Sequence, residues 1–383
     1  MMFGVTALIF AVVAFLPDLY IYLNFLKGVN LVWKILWWAP LAILIGSILW
    51  GAMGWGYETP FRLMVLMLTC FVIPKFLFTL ISLIGKTAGL LIPHAGMVGN
   101  YLGLAVLAIS FCCFLYGTVW GWKHLVRTEQ TLAFQTLPQG FDGYKIVQIT
   151  DLHVGTYGTD STYFRKVVNA VNAENPDLVV FTGDAVNSNP AELDPFMNVF
   201  GGLRAKDGVL AILGNHDYCE YGVHVSPAEM KEMLEDVVRR EKSFGWDVLR
   251  DEHRIIHRGN DSIAIIGVED YGRPPFPQHG DLKKAMTGLT DNTFQILLSH
   301  DPTHWDLQIR PETHIPLTLS GHTHSTQFKV FGWSPASFTY KQWGGLYQDG
   351  EHQLYISCGA GGNIPFRFGA WPEIAVLTLK KKI

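Results

Sequence analysis

Charge is scarce in this chain, and in its N-terminal third it is almost missing. Charged residues make up 16% of 383, against about 25% in an ordinary soluble domain, and the mean hydropathy is +0.21. Such a shortage argues against a wholly soluble globule. Residues 1–122 hold only Asp18, Lys27, Lys34, Glu58, Arg62, Lys75 and Lys86, a net +3, so the remainder carries −7 to bring the chain to −4. Histidine divides the same way, since His94 is the only one of 14 before residue 123. Cysteine is scarce too: Cys70, Cys112 and Cys113 fall in apolar stretches, and Cys219 with Cys358 is too little for a disulfide framework. No basic stripe or aromatic platform is present, which with the acidic remainder excludes a nucleic-acid partner. Internal repeats and low-complexity tracts are also lacking.

What the first segment does contain is apolar length. A membrane-crossing helix needs about 20 mostly apolar residues, and the stretches 3–26, 31–50, 61–84 and 98–122 approach that. Pro17 and Asp18 interrupt the first, so it is expected to kink, or to lie partly in the interface with Asp18 turned toward other helices. Its start has no basic n-region and no small-residue cleavage site, so it reads as retained. Trp33, Trp37, Trp38, Trp50, Trp55, Trp120 and Trp122 fall mostly near the stretch ends, where amphipathic rings suit the headgroup depth. Four spans put the N-terminus and the rest of the chain on one side. Arg62, Lys123 and Arg127 would lie on that side and Lys27, Lys34 and Lys86 on the other, a balance that leaves the orientation undetermined. Lys75, beside Pro74, is the main intramembrane charge; it either pairs with Asp18 or snorkels to the interface.

Beyond residue 144 the pattern changes to short apolar runs at 145–150, 178–182, 209–213, 262–268, 294–299, 316–320, 353–357 and 374–379, with helical periodicity near 160–173, 191–203 and 226–243. That alternation predicts an α/β domain with a mixed sheet over 145–383. Residues 1–122 form a transmembrane helical region, and 123–144 read as a connector.

Several of the runs end in a polar cluster: Asp151-Leu-His153, Gly183-Asp184, Gly214-Asn215-His216-Asp217, His300, and Gly321-His322-Thr-His324. One such cluster is ordinary turn chemistry. Five, each directly after an apolar run, place carboxylates, imidazoles and an amide at the strand ends where open α/β sheets hold ligands. Two divalent ions about 3.5–4 Å apart need such a set, with one carboxylate shared between them. Mixed nitrogen and oxygen donors favour manganese, iron or zinc over magnesium.

The order Asp-x-His, Gly-Asp, Gly-Asn-His-Asp, His, Gly-His-x-His resembles the calcineurin-like metallophosphoesterase superfamily over about residues 145–380. The resemblance implies an α/β sandwich of two mixed sheets flanked by helices, with a dinuclear site at one edge. It also implies the ligand sets: Asp151, His153, Asp184 and His324 for one ion, and Asp184, Asn215, His300 and His322 for the other, with Asp184 as the bridge. A metal-bridging hydroxide would attack phosphorus, and His216 would act as general acid to the leaving alkoxide. Asp217 either orients His216 or caps a turn. The run 354–374, with Cys358-Gly-Ala-Gly-Gly-Asn363 and Ile364-Pro-Phe-Arg367-Phe-Gly369, is similar to a bacterial subgroup of membrane-bound or exported phosphoesterases, some of which act on lipid-linked pyrophosphates such as UDP-diacylglucosamine. That likeness implies the bacterial cytoplasmic membrane as the location.

One departure bears on the substrate. Family members that act on phosphoproteins carry Gly-Asp-x-x-Asp-Arg, whereas this chain has Gly183-Asp184-Ala-Val-Asn187-Ser188. Without the arginine, a diester or pyrophosphate is expected rather than a dianionic monoester, and Asn187 is expected to orient His216. Arg367 either contacts a substrate phosphate or is structural. Arg273 and His279 lie in a Pro-rich loop, 271–280, that is either a lid or a solvated loop. His304 and His314 match no ligand position and are expected at the surface. The sequence thus describes a membrane-anchored, metal-dependent phosphohydrolase acting on a membrane lipid or lipid-linked phosphate. The alternative is a sensor or transport module with the metal domain as a regulatory or binding head.

Overall fold

The computed structural model describes residues 11–53, 58–221, 226–274, 276, 278–290 and 292–382; the readings on residues 3–10 and Trp55 lie outside them. The chain divides into two compact units, Met1–Gly121 and Trp122–Ile383.

In the first unit, helices α1 (11–26), α2 (Leu31–Ala52), α3 (58–88) and α4 (Ala95–Val119) follow one another. Leu31–Gly51, Thr59–Ala88 and Ala95–Lys123 are long and apolar enough to cross a membrane, and Val13–Leu26 is a shorter apolar helix. The chain is therefore a membrane protein, with three long spans and one shorter apolar helix among the described residues. Pro17 sits in the first turn of the α-helical part of α1, Leu16–Ile21, which wider π turns flank on both sides. Asp18 turns inward: its Oδ1 lies 2.6 Å from Lys75 Nζ. The Trp37 ring lies 4.2 Å from the same ammonium, and its indole N–H donates to the Asp18 carbonyl. Lys75 is paired inside the unit and does not snorkel. Helices α3 and α4 approach through glycine, since a Cβ on Gly85 would stand 2.6 Å from Gly99 Cα.

The second unit is built on two six-stranded mixed sheets. The first has the order β1 (Val126–Phe134), β12 (Glu373–Lys381), β2 (Lys145–Ile149), β3 (Leu178–Thr182), β4 (Val209–Ile212), β5 (Asp247–Val248), and the second β10 (Gly345–Asp349), β11 (His352–Ile356), β9 (Leu317–Ser320), β8 (Phe294–Leu298), β7 (Asp261–Gly267), β6 (Glu252–Arg258). Strands β2 (Lys145–Ile149), β3 (Leu178–Thr182) and β4 (Val209–Ile212) run parallel in one, as do β7 (Asp261–Gly267), β8 (Phe294–Leu298) and β9 (Leu317–Ser320) in the other. These strands are buried on both faces, which is why they read as continuous apolar runs. Ile146, Leu178, Val180 and Ile212 meet Ile265, Ile296, Leu298 and Leu319 between the sheets. The opposite face of the first sheet, with Val147, Val179 and Phe181, is covered by α5 (Thr162–Ala173) and α6 (Pro227–Ser243) through Phe164, Val167, Leu234 and Val237. On the second sheet, Ile266, Leu297 and Ile356 pack on Trp305 and Ile309.

The stretch 123–144 is not a connector. Strand β1 (Val126–Phe134) lies within it and pairs in parallel with β12 (Glu373–Lys381), from Val126 beside Glu373 to Phe134 beside Lys381. The reading failed because β1 alternates buried and open positions along its length and has no apolar run.

Candidate metal centre

The turns after β2, β3 and β4 meet the turns after β8 and β9 at one edge of the sandwich. Gln148 of β2 donates to the Ser320 carbonyl of β9 over 2.9 Å, and the His322 N–H donates to Asp151. Five of the seven ligand residues expected from the sequence have left-handed backbones: Asp151 (φ 53°), His153 (45°), Asp184 (62°), His322 (73°) and His324 (48°). Side chains other than glycine seldom adopt that region, and such strain persists where the surroundings over-determine it.

Asp151, His153, Asp184 and His324 are all buried, and one candidate ligand atom from each lies within 4.8 Å of the others. His153 Nδ1–H donates to Asn187 Oδ1 over 3.0 Å, because the amide nitrogen of Asn187 is engaged with Thr156 Oγ1. The His153 Nε2 lone pair therefore faces inward, 3.2 Å from His324 Nε2 and 3.4 Å from Asp184 Oδ2. The same Asp184 oxygen lies 3.2 Å from His300 Nε2. His300 donates from Nδ1 to the Thr182 carbonyl over 2.7 Å, which leaves its Nε2 buried without a hydrogen-bond partner.

The His322 ring stands edge-on to His300 at 5.1 Å, with Asn215 beside it. The Asn215 amide donates to Tyr221 Oη, while its Oδ1 lies 2.9 Å from His322 Nδ1 and the His322 Nε2 lies 2.8 Å from Tyr340 Oη. Amide oxygens and imidazoles whose other polar atoms are fixed by hydrogen bonds suit divalent cations. The residues present fit two such ions.

Electrostatics agree with that fit. Burial pushes the His153 pKa down to about 4 and holds those of His322 and His324 below the ordinary imidazole value, so these rings are neutral donors. Burial opposes charge on His300 as well, but the carboxylates of Asp184, Asp151 and Asp270 outweigh it and hold its pKa well above the ordinary value. Burial likewise pushes Asp151 up, with His300 opposing. For Asp184 burial is outweighed by the His300, His216 and His153 rings, and its carboxyl lies well below the usual range. The pocket is thus an anionic one that calls for positive charge.

For Asp217 and Arg367 the contacts match the structural one of the two roles left open, and for Asn187 side chain and backbone serve different rings. Asp217 does not touch His216: its carboxylate accepts from the backbone N–H groups of Asp184, Ala185, Val186 and Gly214, so it caps the bridging loop. The Asn187 side chain orients His153, while its backbone carbonyl accepts from His216 Nδ1–H over 2.7 Å. Arg367 is fully buried, donates to the carbonyls of Cys358, Gly361 and Ala370, and sets its Nη2 3.3 Å from His324 Nδ1, so it braces the loop behind that ring. His304, expected at the surface, is buried against Ser299 Oγ and Gln308. In the loop 271–280, where 275 and 277 lie outside the described residues, the Phe276 ring stands edge-on to His322 at 4.9 Å, whereas His279 stacks on Tyr218.

Two carboxylates escaped the sequence reading. Asp301 Oδ2 lies 3.6 Å from His322 Nε2 and accepts no hydrogen bond. Asp270 is buried with both oxygens unpartnered, and burial pushes its pKa up to about 8. Its position directly after β7 is the same signal that marked the other clusters.

The model of the calcineurin-like phosphoesterases matches residues 144–326. Metallophosphoesterase YkuE of Bacillus subtilis is 34% identical over 271 residues, which cover 67% of this chain and 86% of that protein. A transmembrane protein with metallophosphoesterase domain from Danio rerio is 31% identical over 287 residues, 72% of this chain but only 62% of that longer protein. UDP-2,3-diacylglucosamine pyrophosphatase LpxG of Chlamydia trachomatis is 28% identical over 290 residues, 63% of this chain and 86% of that enzyme. The chain belongs to the calcineurin-like phosphoesterase family. It is a metal-dependent hydrolase that uses two divalent ions.

Proposed function

We propose that this membrane-bound enzyme cleaves a phosphodiester or pyrophosphate bond in a lipid-linked substrate, in the cytoplasmic membrane of a bacterium. The observation that carries the reaction class is the single Asp184 oxygen placed between His153 and His300, which suits a bridge between Asp151, His153, Asp184 and His324 on one side and Asp184, Asn215, His300 and His322 on the other. Two divalent ions held there supply neutralisation of the phosphate oxygens and an acidified water as nucleophile.

His216 is the proposed general acid. Its Nδ1 proton is held by the Asn187 carbonyl, so the proton given to the leaving oxygen is the one on Nε2. Its backbone N–H is anchored on Asp184 Oδ1 over 2.9 Å, and its ring is wedged between His153 and Tyr221 at centroid distances of 4.7 and 4.4 Å. Ser188 occupies the place of a phosphate-clamping arginine, and Arg367 is committed to backbone carbonyls; both favour a reacting phosphate of lower charge. The lipid assignment is supported by the membrane helices and by the likeness to a diacylglucosamine pyrophosphatase.

The test is hydrolysis of a chromogenic phosphodiester, its matched monoester and a lipid-linked pyrophosphate by the detergent-purified protein with added manganese, beside Asp184→Ala and His216→Ala. Cleavage of diester or pyrophosphate that both substitutions abolish supports the reading; preference for the monoester overturns it.

The buried pair of Asp18 and Lys75 favours a second reading, in which the helices form a sensor or transport module with the metal domain as its head. Full cellular function from Asp184→Ala, with loss on Lys75→Met, would establish that reading in place of the first.

A further inference from the structure

The segment between the last metal motif and Tyr340 projects three large aromatic side chains into solvent. Phe331 is 104% exposed, Phe338 82% and Trp333 45%. A folded surface can leave one such ring open, but three within eight residues form a patch that marks an interaction site.

The backbone beneath them is built to hold that display. Val330 and Trp333 exchange backbone hydrogen bonds of 2.9 and 3.0 Å, closing a two-residue turn over Phe331 (φ 50°) and Gly332 (φ 80°). Turns with two positive φ values favour Asn-Gly or Gly-Gly. A phenylalanine at the first position carries backbone strain and buries nothing of its own ring in the fold, so its stability contribution is adverse. The Trp333 ring packs edge-on to Phe338 at 5.6 Å, so these two rings adjoin, with Phe331 two residues away on the same turn.

The tip is tied rigidly to the metal centre. Ser334 Oγ donates to the Ser325 carbonyl and lies 3.0 Å from Thr326 Oγ1, two residues that directly follow His324. The Lys329 N–H donates to the Phe368 carbonyl over 2.8 Å at the turn's base. At its far end the segment delivers Tyr340 to His322. Its own charge is also one-sided: residues 325–343 contain Lys329 and Lys341 and no acidic residue, within a unit that is acidic as a whole, and Lys341 pairs with Asp306 at 3.6 Å, away from the tip. Arg273 reaches the same segment by donating to the Thr339 carbonyl.

We propose that this aromatic tip, Phe331 with Trp333 and Phe338, docks on the surface of a lipid bilayer, seating its rings at the headgroup boundary with Lys329 toward anionic headgroups. Exposed aromatic rings beside a lysine are the chemistry of an interfacial anchor, and the chain's own apolar helices put it at a bilayer. The inference rests on the reading of the chain as a membrane-bound enzyme, and not on which phosphate ester it cleaves.

The full chain, reconstituted in vesicles of phosphatidylcholine and phosphatidylglycerol, tests it. A fluorescent label is placed through Phe331→Cys, or through Lys231→Cys on α6 as control, in a background of Cys112→Ser and Cys113→Ser. Quenching by acyl-chain-brominated lipid at position 331 and not at 231 is expected. A label at 331 that aqueous iodide quenches and brominated lipid does not overturns the proposal, and one that neither quencher reaches assigns the tip to a protein partner and overturns it too. A combined Phe331→Ser, Trp333→Ser, Phe338→Ser variant is expected to keep its rate on a soluble chromogenic diester and to lose about tenfold on ester embedded in vesicles, because the local substrate concentration falls. Wild-type protein that shows lipid quenching yet hydrolyses no embedded ester would leave the docking intact and overturn only the lipid-substrate reading.

Discussion

The backbone N–H of His216 donates to Oδ1 of Asp184 over 2.9 Å, while Oδ2 of the same carboxylate faces His153 and His300. One side chain thereby fixes both the shared edge of the metal centre and the starting point of the proposed acid. Replacing it removes a ligand to two ions at once. Asp184→Asn is expected to lower bound metal below two equivalents per chain by elemental analysis. Its activity loss should exceed the roughly 10–100-fold that the loss of an outer partner typically costs. Chelation of the wild type should lower its thermal midpoint, since free metal at 100 times its Kd contributes about 2.7 kcal/mol; the variant should respond far less to the same chelator.

Asn187 gives a sharper test, because its side chain and its backbone serve different residues. Asn187→Ala removes the acceptor that holds His153 but keeps the carbonyl that holds His216. Metal affinity measured by titration into the apoprotein should fall about 10–100-fold, with Asn187→Asp recovering most of it. Unchanged affinity with lost turnover would instead place the side chain on the acid.

The proposed acid is separable from the metals. His216→Ala is expected to lose about 10²–10⁴-fold on an alkyl ester, whose leaving oxygen needs a proton, and much less on a nitrophenyl ester, whose leaving group departs as an anion. Bound metal should be unchanged. Equal losses on both esters would remove His216 from that role.

What could be read in the sequence followed from burial. The central strands are apolar on both faces and end in polar turns, so β2, β3, β4, β8 and β9 were legible together with the seven candidate ligand positions after them. The strands that escaped are β1, β5 (Asp247–Val248), β6 (Glu252–Arg258) and β10 (Gly345–Asp349), which are the four outer strands of the two sheets. Edge strands carry charge and half-open positions, and Glu252-His-Arg-Ile-Ile-His-Arg258 has no apolar run to find. The roles of Asp217, Asn187 and Arg367 depended on which neighbour each side chain meets across the turn, and residue type alone does not specify that. The Asp18 and Lys75 pair was legible as one of two outcomes because an apolar segment offers a charge few alternatives.

Glu241 provides a pH test away from the metal centre. It lies on α6 fully buried, with neither carboxylate oxygen hydrogen-bonded. Burial, followed by the nearby Asp217 charge, holds its pKa well above the ordinary value of 4.5. The folded chain therefore keeps the proton that the unfolded chain releases above about pH 4.5, so stability from this residue is full below that pH. It is lost at up to about 1.4 kcal/mol per pH unit as pH rises toward the folded pKa. Glu241→Gln cannot ionise and should abolish that slope. Thermal unfolding of the detergent-purified protein should give a smaller gap between wild type and variant near about pH 5, widening in the variant's favour toward about pH 8. Parallel curves for the two proteins over that range would mean that Glu241 is already ionised in the fold, compensated by a group that burial and geometry do not reveal.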